Sequence, residues 1–313
     1  MIYQCFAVFD NFAKLQNKSS FSTHMVGKSY IIAGSPIFHS YSPHLFRLIH
    51  SFNNQRFEST ISENDYFFLE TQKLNANSFE KSDDMNRFSQ DLTWHDFNLN
   101  DKFGIDYFAE FRKNLDEEIL SYVNLTSPLK HTTSSLKFEN LDDSLSYESV
   151  NCLAICENNT YSISTDGLAV VWLALLAGLE IEKSVLSIVG GGGTARSAAN
   201  AWISFGGKVN QISGNRRISI PEESKTDESA DFMLLVDSCE DFSSLKSDAV
   251  ILQAKYNSTQ EVPNHLTILG GTHLLVAQHL LCWYLLWNDN PDFKIPTFSD
   301  LLANLEEFIS DKN

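Results

Sequence analysis

A run of four glycines constrains the fold of this chain more than any other feature of its sequence. The apolar residues Val185–Val189 lead into Gly190–Gly193, and small residues at helical spacing follow, giving VLSIVGGGGTARSA. A strand, a tight turn and a helix N-terminus have this pattern in dinucleotide-binding proteins, because glycine lets backbone N–H groups approach a pyrophosphate. The strict GxGxxG spacing is not met, so on this stretch alone a plain βα turn in a doubly wound domain remains the alternative.

The composition indicates a globular protein of two domains that does not bind nucleic acid. A chain of 313 residues, 43% of them hydrophobic, is long and apolar enough for two cores. A net charge of −17 leaves nothing to offset the repulsion of a phosphate backbone. Five scattered cysteines without a secretory signal indicate reduced thiols in the cytoplasm and no metal site. No apolar run reaches the ~18–20 residues of a membrane span.

The second half of the chain alternates strands with helices, which predicts a parallel sheet with right-handed crossovers. The predicted strands there are Val185–Val189, Lys208–Ser213, Asp231–Val236 and Ala249–Leu252, and the predicted helices are Leu168–Leu179, Ala195–Phe205, Leu274–Trp287 and Phe298–Ile309. In the first half the pattern predicts strands at Ser29–Ala33, Arg56–Ile61 and Tyr122–Leu125. It also predicts two helices, one that begins at Pro43 and one that spans Phe108–Leu120. The polar, acidic segment Glu63–Asp101 is interpreted as a surface insertion, and residues 1–28 as an extension.

Two motifs in the first half carry polar side chains suited to a small anionic ligand. GSPIFHSYSPH places Ser40 and Ser42 two residues apart between prolines, so that both hydroxyls can point at one carboxylate. The alternative is a capping loop at a helix start. VNLTSPLK delivers Thr126 and Lys130 to the C-terminal end of a predicted strand, where α/β proteins bind ligands. For the lysine, a solvated side chain is the alternative.

Two shorter motifs, SVNC and STDG, complete an ordered set that resembles a known family. SVNC contains Asn151, and STDG places Asp166 at a helix start, where a simple N-cap is the alternative. The motifs GSPIxHSxSP, NxTxPxK, SVN, TDG and GxGGTAR, in this order, resemble the shikimate dehydrogenase family. The tail agrees, because Gly271 and then LLVAQ at Leu274–Gln278 resemble the family's final substrate-binding helix.

The resemblance implies a reaction and a role for each matching residue. Members of the family reduce 3-dehydroshikimate to shikimate with NADPH, in the pathway to the aromatic amino acids. By resemblance, Lys130 gives or takes the carbonyl proton and Asp166 orients its ammonium group. The positions that match substrate-binding residues are Ser40, Ser42, Thr126, Asn151, Tyr256 and Gln278. Those that match cofactor-binding residues are Gly190, Gly192, Gly193, Thr194, Ala195, Asn215, Arg216, Arg217 and Gly271.

The resemblance also implies an α/β fold with two domains. An N-terminal α/β substrate domain is expected at 29–165 and a Rossmann-like NADP domain at 166–272. Helices in 273–313 are expected to return to the substrate domain. The substrate would then lie between two domains that can close, with Asp166 at the joint.

The residues after the second strand of the nucleotide domain favour NADP over NAD. An NAD site usually has an acidic residue there, which binds the ribose 2′-hydroxyl. Here Lys208–Ser213 is followed by Gly214, Asn215, Arg216 and Arg217. Two guanidinium groups and no acid suit a 2′-phosphate, whereas a solvated basic turn is the alternative. This NRR also resembles the family's NRT motif.

The chain departs from the family pattern at several positions. Gln253 stands where an acid often precedes Tyr256, and the proline that usually follows this tyrosine is missing. His131 replaces a common acid after the lysine, and His273 replaces a usual glycine. These departures bear on the rate and on the packing of the nicotinamide more than on the substrate class. The insertion Glu63–Asp101 and residues 1–28 indicate a diverged member, or a domain of a larger arom-type polypeptide. Quinate dehydrogenase and a non-catalytic metabolite sensor are the alternative functions, and a monomer or homodimer is expected.

Overall fold

The computed structural model describes residues 29–34, 40–51, 61–62, 66–68, 117–131, 138–256, 260–287 and 295–311. These residues form two β-sheets and the helices that pack on them. The strands of the first sheet lie within residues 29–163, and those of the second within 185–269. The predicted α/β class is confirmed. The domain boundaries stay a prediction, and residues 1–28 and most of the insertion lie outside the described residues.

The first sheet has both parallel and antiparallel neighbours. Its strands are β1 (Ser29–Ala33), β2 (Ile61–Ser62), β3 (Tyr66–Phe68), β4 (Ser121–Leu125), β5 (Glu139–Asn140), β6 (Cys152–Ile155) and β7 (Thr160–Ile163), in the order β2-β3-β1-β4-β6-β7-β5. Strands β1 and β4 are parallel, so their C-terminal ends meet at one edge of the sheet. There the backbone N–H of Thr126 donates to the carbonyl of Ala33 at 2.8 Å. The motifs that follow these two strands therefore start side by side.

Parts of the first half differ from the predictions. Strand β3 falls inside the predicted insertion Glu63–Asp101 and pairs antiparallel with β1, so the interpretation of that whole segment as a surface loop is wrong. Three aromatic residues are too short a run to show a period. Of the predicted strand Arg56–Ile61, only Ile61 is described, and it begins β2. Of the predicted helix Phe108–Leu120, the described end is extended rather than helical, because Leu120 pairs with Ile155 of β6 through its backbone N–H.

Strands β6 and β7 form an antiparallel hairpin to which the sequence analysis assigned no strands. Their register runs from Cys152 opposite Ile163 to Ile155 opposite Thr160. Asn151 immediately precedes the first strand, and Asp166 follows the second by three residues. The hairpin therefore brings the SVN and TDG motifs to the same end of the sheet.

The second sheet is parallel throughout, as predicted. Its strands are β8 (Val185–Val189), β9 (Lys208–Ser213), β10 (Ala230–Leu235), β11 (Leu245–Gln253) and β12 (Thr267–Leu269), in the order β12-β11-β10-β8-β9. Strand β8 lies between β9 and β10, so the direction of winding reverses at its C-terminal end. In open α/β sheets ligands bind at such a switch point. The glycine turn begins there.

Five α-helices are described. They are α1 (Ser42–Ser51), α2 (Asp166–Leu176), α3 (Gly193–Ser204), α4 (Gly271–Cys282) and α5 (Phe298–Ser310). Helix α2 connects the two sheets and packs against α3 and α4, and α4 also packs against α1 and α5. The predicted helix Leu274–Trp287 starts three residues earlier and continues after Cys282 as a π-helical turn, Trp283–Trp287. No helix in the described part of the chain has the length and apolarity needed to cross a membrane.

An aromatic cluster holds α1 and the π-helical turn against the first sheet. The rings of Tyr30 and Phe46 stack with centroids 4.1 Å apart, and Phe46 lies 5.5 Å from Trp283. Trp287 lies 5.7 Å from Tyr122 and donates its indole N–H to the carbonyl of Leu153 at 2.9 Å. This packing fixes where α1 and α4 stand relative to the ends of β1 and β4.

The core beneath this cluster contains a histidine without a polar partner. His279 of α4 is 1% exposed, and among the described residues neither ring nitrogen has a hydrogen-bond partner. Burial lowers the pKa of His279 from 6.5 to about 3. Between these two values the unfolded chain binds a proton that the folded protein does not. The contribution of His279 to stability is therefore lost as the pH falls below 6.5.

We expect His279→Leu to be more acid-resistant than the wild type. When the pH is lowered from 7.5 to 5, the unfolding free energy of the wild type should fall by about 2 kcal/mol more than that of the variant. Urea unfolding of both proteins at the two pH values measures it, and contributions from other titrating groups cancel in the comparison. A difference that does not change with pH would show that burial leaves the pKa of His279 unchanged, so that the folded and unfolded chains bind the same number of protons there.

Candidate active site

Lys130 and Asp166 form an ion pair at the end of the first sheet. Lys130 lies in a single 3₁₀ turn, Leu129–His131, shortly after β4. Its Nζ donates to Oδ2 of Asp166 at 2.5 Å. The side chain of Asp166 is completely buried and that of Lys130 is 14% exposed. The Lys130 ammonium is thus partly exposed, with the buried carboxylate of Asp166 beneath it.

Three neutral side chains complete the surroundings of the Asp166 carboxylate. Oδ1 accepts from Nδ2 of Asn151 at 2.8 Å and from Nε2 of Gln278 at 2.9 Å. Oδ2 accepts from Oγ1 of Thr194 at 3.0 Å, in addition to Lys130. Asp166 is also the first residue of α2, where the helix dipole favours a negative charge. These donors compensate for the removal of the carboxylate from water.

Asn151 is held by the backbone and side chain of Thr165. Its Oδ1 accepts from the backbone N–H of Thr165 at 2.7 Å, and its Nδ2 donates to Oγ1 of Thr165 at 3.0 Å as well as to Asp166. The amide group is therefore saturated within the protein. Its contact with a substrate stays a prediction, and in the structure its Nδ2 orients the carboxylate of Asp166.

The predicted serines lie at the start of α1. Oγ of Ser40 accepts from the backbone N–H of Ser42 at 3.3 Å, which is the capping arrangement weighed as the alternative. Ser42 is buried and is hydrogen-bonded to Tyr30. Burial raises the pKa of Tyr30 well above its usual range, and its neutral hydroxyl donates to Oδ1 of Asn124 at 2.7 Å. Tyr30, which the sequence analysis missed, thus links the serine motif to the strand that precedes Thr126.

Tyr256 and Gln278 reach the site from the second half of the chain. Burial, together with the negative charge of Asp166, raises the pKa of Tyr256, so its hydroxyl is neutral. Its ring contacts that of Tyr41 with centroids 5.4 Å apart. A Cβ on Gly271 would stand 2.7 Å from the carbonyl oxygen of Ala254, so glycine lets α4 pack closely on the segment before Tyr256. Gly271, predicted to bind a cofactor, has this packing role.

The glycine turn is fastened to the NRR turn. A Cβ on Gly191 would stand 2.1 Å from the carbonyl oxygen of Arg216, so only glycine fits this close approach. Nε2 of Gln211 donates to the carbonyls of Gly190 at 2.9 Å and Arg216 at 2.8 Å. No atom of the described residues lies within 4 Å of where a Cβ on Gly192 would be, so the turn is open there. Gln211, which the sequence analysis missed, holds the two predicted nucleotide-binding turns together.

The turn also faces the ion pair. A Cβ on Gly193 would stand 3.4 Å from Cδ of Lys130, and the carbonyl of Gly193 accepts from Oγ of Ser149 at 2.8 Å. Of the next two predicted cofactor residues, Thr194 directs its hydroxyl at Asp166, and Ala195 is completely buried in the core. The structure therefore places the glycine turn next to the Lys130–Asp166 pair.

The arginines of the nucleotide half have two kinds of surroundings. Asn215, Arg216 and Arg217 are exposed, and neither arginine forms an ion pair within the described chain. Arg196, missed in the sequence although it belongs to the GGTAR motif, instead donates from Nη2 to Nδ1 of His131 at 2.8 Å and to the carbonyl of Glu148 at 3.0 Å. His131 thus accepts from a cation where the family often has an acid.

His131 and His273, which depart from the family pattern, each have a local role in the structure. Burial, with the nearby charges of Arg196 and Arg216, lowers the pKa of His131, which keeps its ring neutral and able to accept. Nδ1 of His273 accepts from the backbone N–H of Gly270 at 3.4 Å, which caps the start of α4. Among the described residues, no three His, Cys, Asp or Glu side chains group as metal ligands do.

Together, fold and site define a two-domain α/β protein in which a glycine turn after a parallel strand faces a lysine–aspartate pair whose carboxylate is buried. Its fold is that of the shikimate dehydrogenases. Shikimate 5-dehydrogenase from Thermus thermophilus, in complex with shikimate, superposes with a TM-score of 0.56 at 15% identity, over 89% of this chain and 98% of that one. The same enzyme with NADP(H) and shikimate gives 0.54 at 16%, over 89% and 98%.

A third structure of this fold has a different named substrate. Ligand-free 5-ketofructose reductase from a Gluconobacter species gives a TM-score of 0.54 at 13% identity, over 92% of this chain and 100% of that one. The sequence matches no protein-family model and no curated protein. At these identities the likeness establishes the fold, and the reaction has to be argued from the site.

Proposed function

We propose that this protein is an NADP-dependent oxidoreductase that reduces 3-dehydroshikimate to shikimate. The observation that carries the proposal is the Lys130–Asp166 pair, with its carboxylate buried and its ammonium partly exposed, facing the open glycine turn. A turn of this kind binds a dinucleotide, and a cation beside it serves a carbonyl that is being reduced. Solved structures of this fold include shikimate 5-dehydrogenase bound to shikimate and NADP(H).

The residues of the nucleotide half fit NADP. The turn at Gly190–Gly193 opens into the N-terminus of α3, whose dipole and backbone N–H groups suit a pyrophosphate. Arg216 and Arg217 are exposed and unpaired within the described chain, beside Asn215, where a 2′-phosphate would lie. Because β9 ends without an acidic residue, nothing there favours the ribose 2′-hydroxyl of NAD over a phosphate.

The chain's own residues handle the charge and the proton of the reaction. A bound nicotinamide cofactor supplies the hydride to the carbonyl carbon. The electron pair of the C=O bond then moves to the oxygen, which Lys130 stabilises and protonates from Nζ. Asp166 keeps the ammonium directed at that oxygen. In the reverse reaction, the neutral amine of Lys130 accepts the hydroxyl proton.

The remaining predicted residues are assigned to the substrate. Ser40 and Ser42 would hold its carboxylate, and Tyr256 supplies a neutral hydroxyl near Asp166. The residues assigned to its ring hydroxyls are Thr126, Asn151 and Gln278. Asn151 and Gln278 already donate to Asp166. Part of their contribution to the reaction would therefore come from orienting that carboxylate. A cytoplasmic location and a monomeric or homodimeric state stay predictions.

Cofactor oxidation with three ketones, and cofactor reduction with one alcohol, test the proposal. NADPH consumption is measured with 3-dehydroshikimate, with dehydroquinate and with 5-ketofructose, and NAD-linked oxidation of quinate is measured beside it. The proposal expects the highest kcat/KM for 3-dehydroshikimate with NADPH. Faster quinate oxidation would instead make the protein a quinate dehydrogenase, and binding without turnover would make it a sensor. Preference for 5-ketofructose would show that only the fold is shared.

A further inference from the structure

Thr194 joins the nucleotide-binding helix to the proton-transfer pair. It is the second residue of α3, directly after the glycine turn. Its Oγ1 donates to Oδ2 of Asp166 at 3.0 Å, and the same oxygen accepts from Nζ of Lys130 at 2.5 Å. One carboxylate oxygen is therefore shared by the ammonium and by a hydroxyl from the other half of the protein.

The neighbouring contacts hold Thr194 firmly in this place. A Cβ on Gly167 would stand 2.1 Å from the carbonyl oxygen of Ser197, so α2 and α3 touch near their N-terminal ends. The backbone N–H of Gly167 donates to Oγ of Ser197 at 2.8 Å, and Ser149 holds the carbonyl of Gly193. A β-branched side chain in a helix also has few rotamers. The contact between the two helices thus directs the hydroxyl of Thr194 at Asp166.

We propose that Thr194 is a positioning residue for proton transfer, which acts through Asp166. With two donors on Oδ2 and two on Oδ1, the carboxylate cannot rotate, so Lys130 points at a fixed place over the glycine turn. The inference rests on the proposed function, because it assigns Thr194 to the geometry of that same reaction. It also differs from the sequence prediction, in which Thr194 contacts the cofactor.

Three variants separate the hydroxyl from the rest of the side chain. Thr194→Val keeps the shape and loses the hydroxyl, whereas Thr194→Ser keeps the hydroxyl and loses a methyl. Ser204→Ala is the matched control, because Ser204 lies at the far end of α3 and bonds only the carbonyl of Asn200 within the described chain. We expect Thr194→Val to lower kcat about tenfold with KM changed less than about threefold. Thr194→Ser and the control should remain near the wild type.

A second readout needs neither substrate nor cofactor. In protein labelled with ¹⁵N-lysine, hydrogen exchange of the Lys130 ammonium is followed by NMR, with Lys130→Arg assigning the signal. Thr194→Val is expected to raise the exchange rate several-fold, because Oδ2 of Asp166 loses one of its two donors and holds the ammonium less firmly. Thr194→Ser and Ser204→Ala are expected to leave it unchanged. If Thr194→Val does not fold, Thr194→Ala takes its place against Thr194→Ser.

Two results would overturn the inference. One is a hydroxyl-free variant with wild-type kcat and wild-type exchange. The other is a serine variant as impaired as valine, which would assign the effect to the methyl group. If the wild type reduces none of the ketones tested, the proposed function fails by itself, and the exchange measurement still decides whether Thr194 positions the pair.

Discussion

Replacing Lys130 by alanine is expected to lower kcat by about 10²–10⁴-fold, the range typical of a lost general acid. The reason is that the oxygen of the reduced carbonyl would have neither a cation nor a proton donor beside it. KM should change by only a modest factor, because the serines and hydroxyl-binding residues remain. Steady-state kinetics with NADPH and 3-dehydroshikimate measure both quantities, and an unchanged kcat would remove Lys130 from the mechanism.

A lysine outside the site provides the control for this experiment. Lys246 pairs with Asp231 at 2.7 Å on the exterior of the nucleotide half, so Lys246→Ala removes an ion pair of the same type without touching the cleft. Its kcat should equal that of the wild type. Thermal unfolding of both variants is measured as well, because Lys130→Ala leaves Asp166 buried with neutral donors only.

Changing Arg216 and Arg217 together to glutamine is expected to weaken NADPH binding far more than NADH binding. Each charge-assisted contact with a 2′-phosphate contributes about 1.5–3 kcal/mol. The NADPH dissociation constant should therefore rise by roughly two to four orders of magnitude relative to that of NADH. Fluorescence titration with each cofactor measures the difference.

The matching control removes two positive charges elsewhere in the same half. Lys208 and Lys225 are about half exposed and pair with surface carboxylates, so the double change to glutamine alters the net charge equally. It should leave the preference for NADPH intact. Equal loss of both cofactors in the arginine variant would show that Arg216 and Arg217 shape the turn rather than bind the phosphate.

The nucleotide half could be predicted from the sequence because its signals are local. Apolar strands, glycines at the turn and small residues in α3 stand within one short segment, and Val185–Val189 and Lys208–Ser213 have the predicted bounds. The motif residues Lys130, Asn151, Asp166 and Gln278 also meet, as the resemblance to the family implied. The sequence therefore predicted best which functional residues follow the end of each strand or begin each helix.

The rest depends on contacts between residues that are far apart in the chain. Tyr30 bonds Asn124 across 94 positions, and no local pattern marks that tyrosine as part of a site. Gln211 is an ordinary residue of β9 by sequence, and only its hydrogen bonds to Gly190 and Arg216 show that it holds the two turns together. Thr194 matched a cofactor position by motif, but the packing of α3 on α2 turns its hydroxyl toward Asp166. Strand β3 was missed because its pairing with β1, rather than its own short sequence, makes it a strand.

The most direct measurement of the central claim follows a deuterium atom. Wild-type protein is incubated with 3-dehydroshikimate and NADPH carrying deuterium at the transferable position of the nicotinamide, and the product is examined by NMR and mass spectrometry. If cofactor and substrate meet in the cleft between the glycine turn and Lys130, shikimate forms with one deuterium on the carbon that carried the ketone. Shikimate without deuterium at that carbon, or no shikimate at all, would contradict the account.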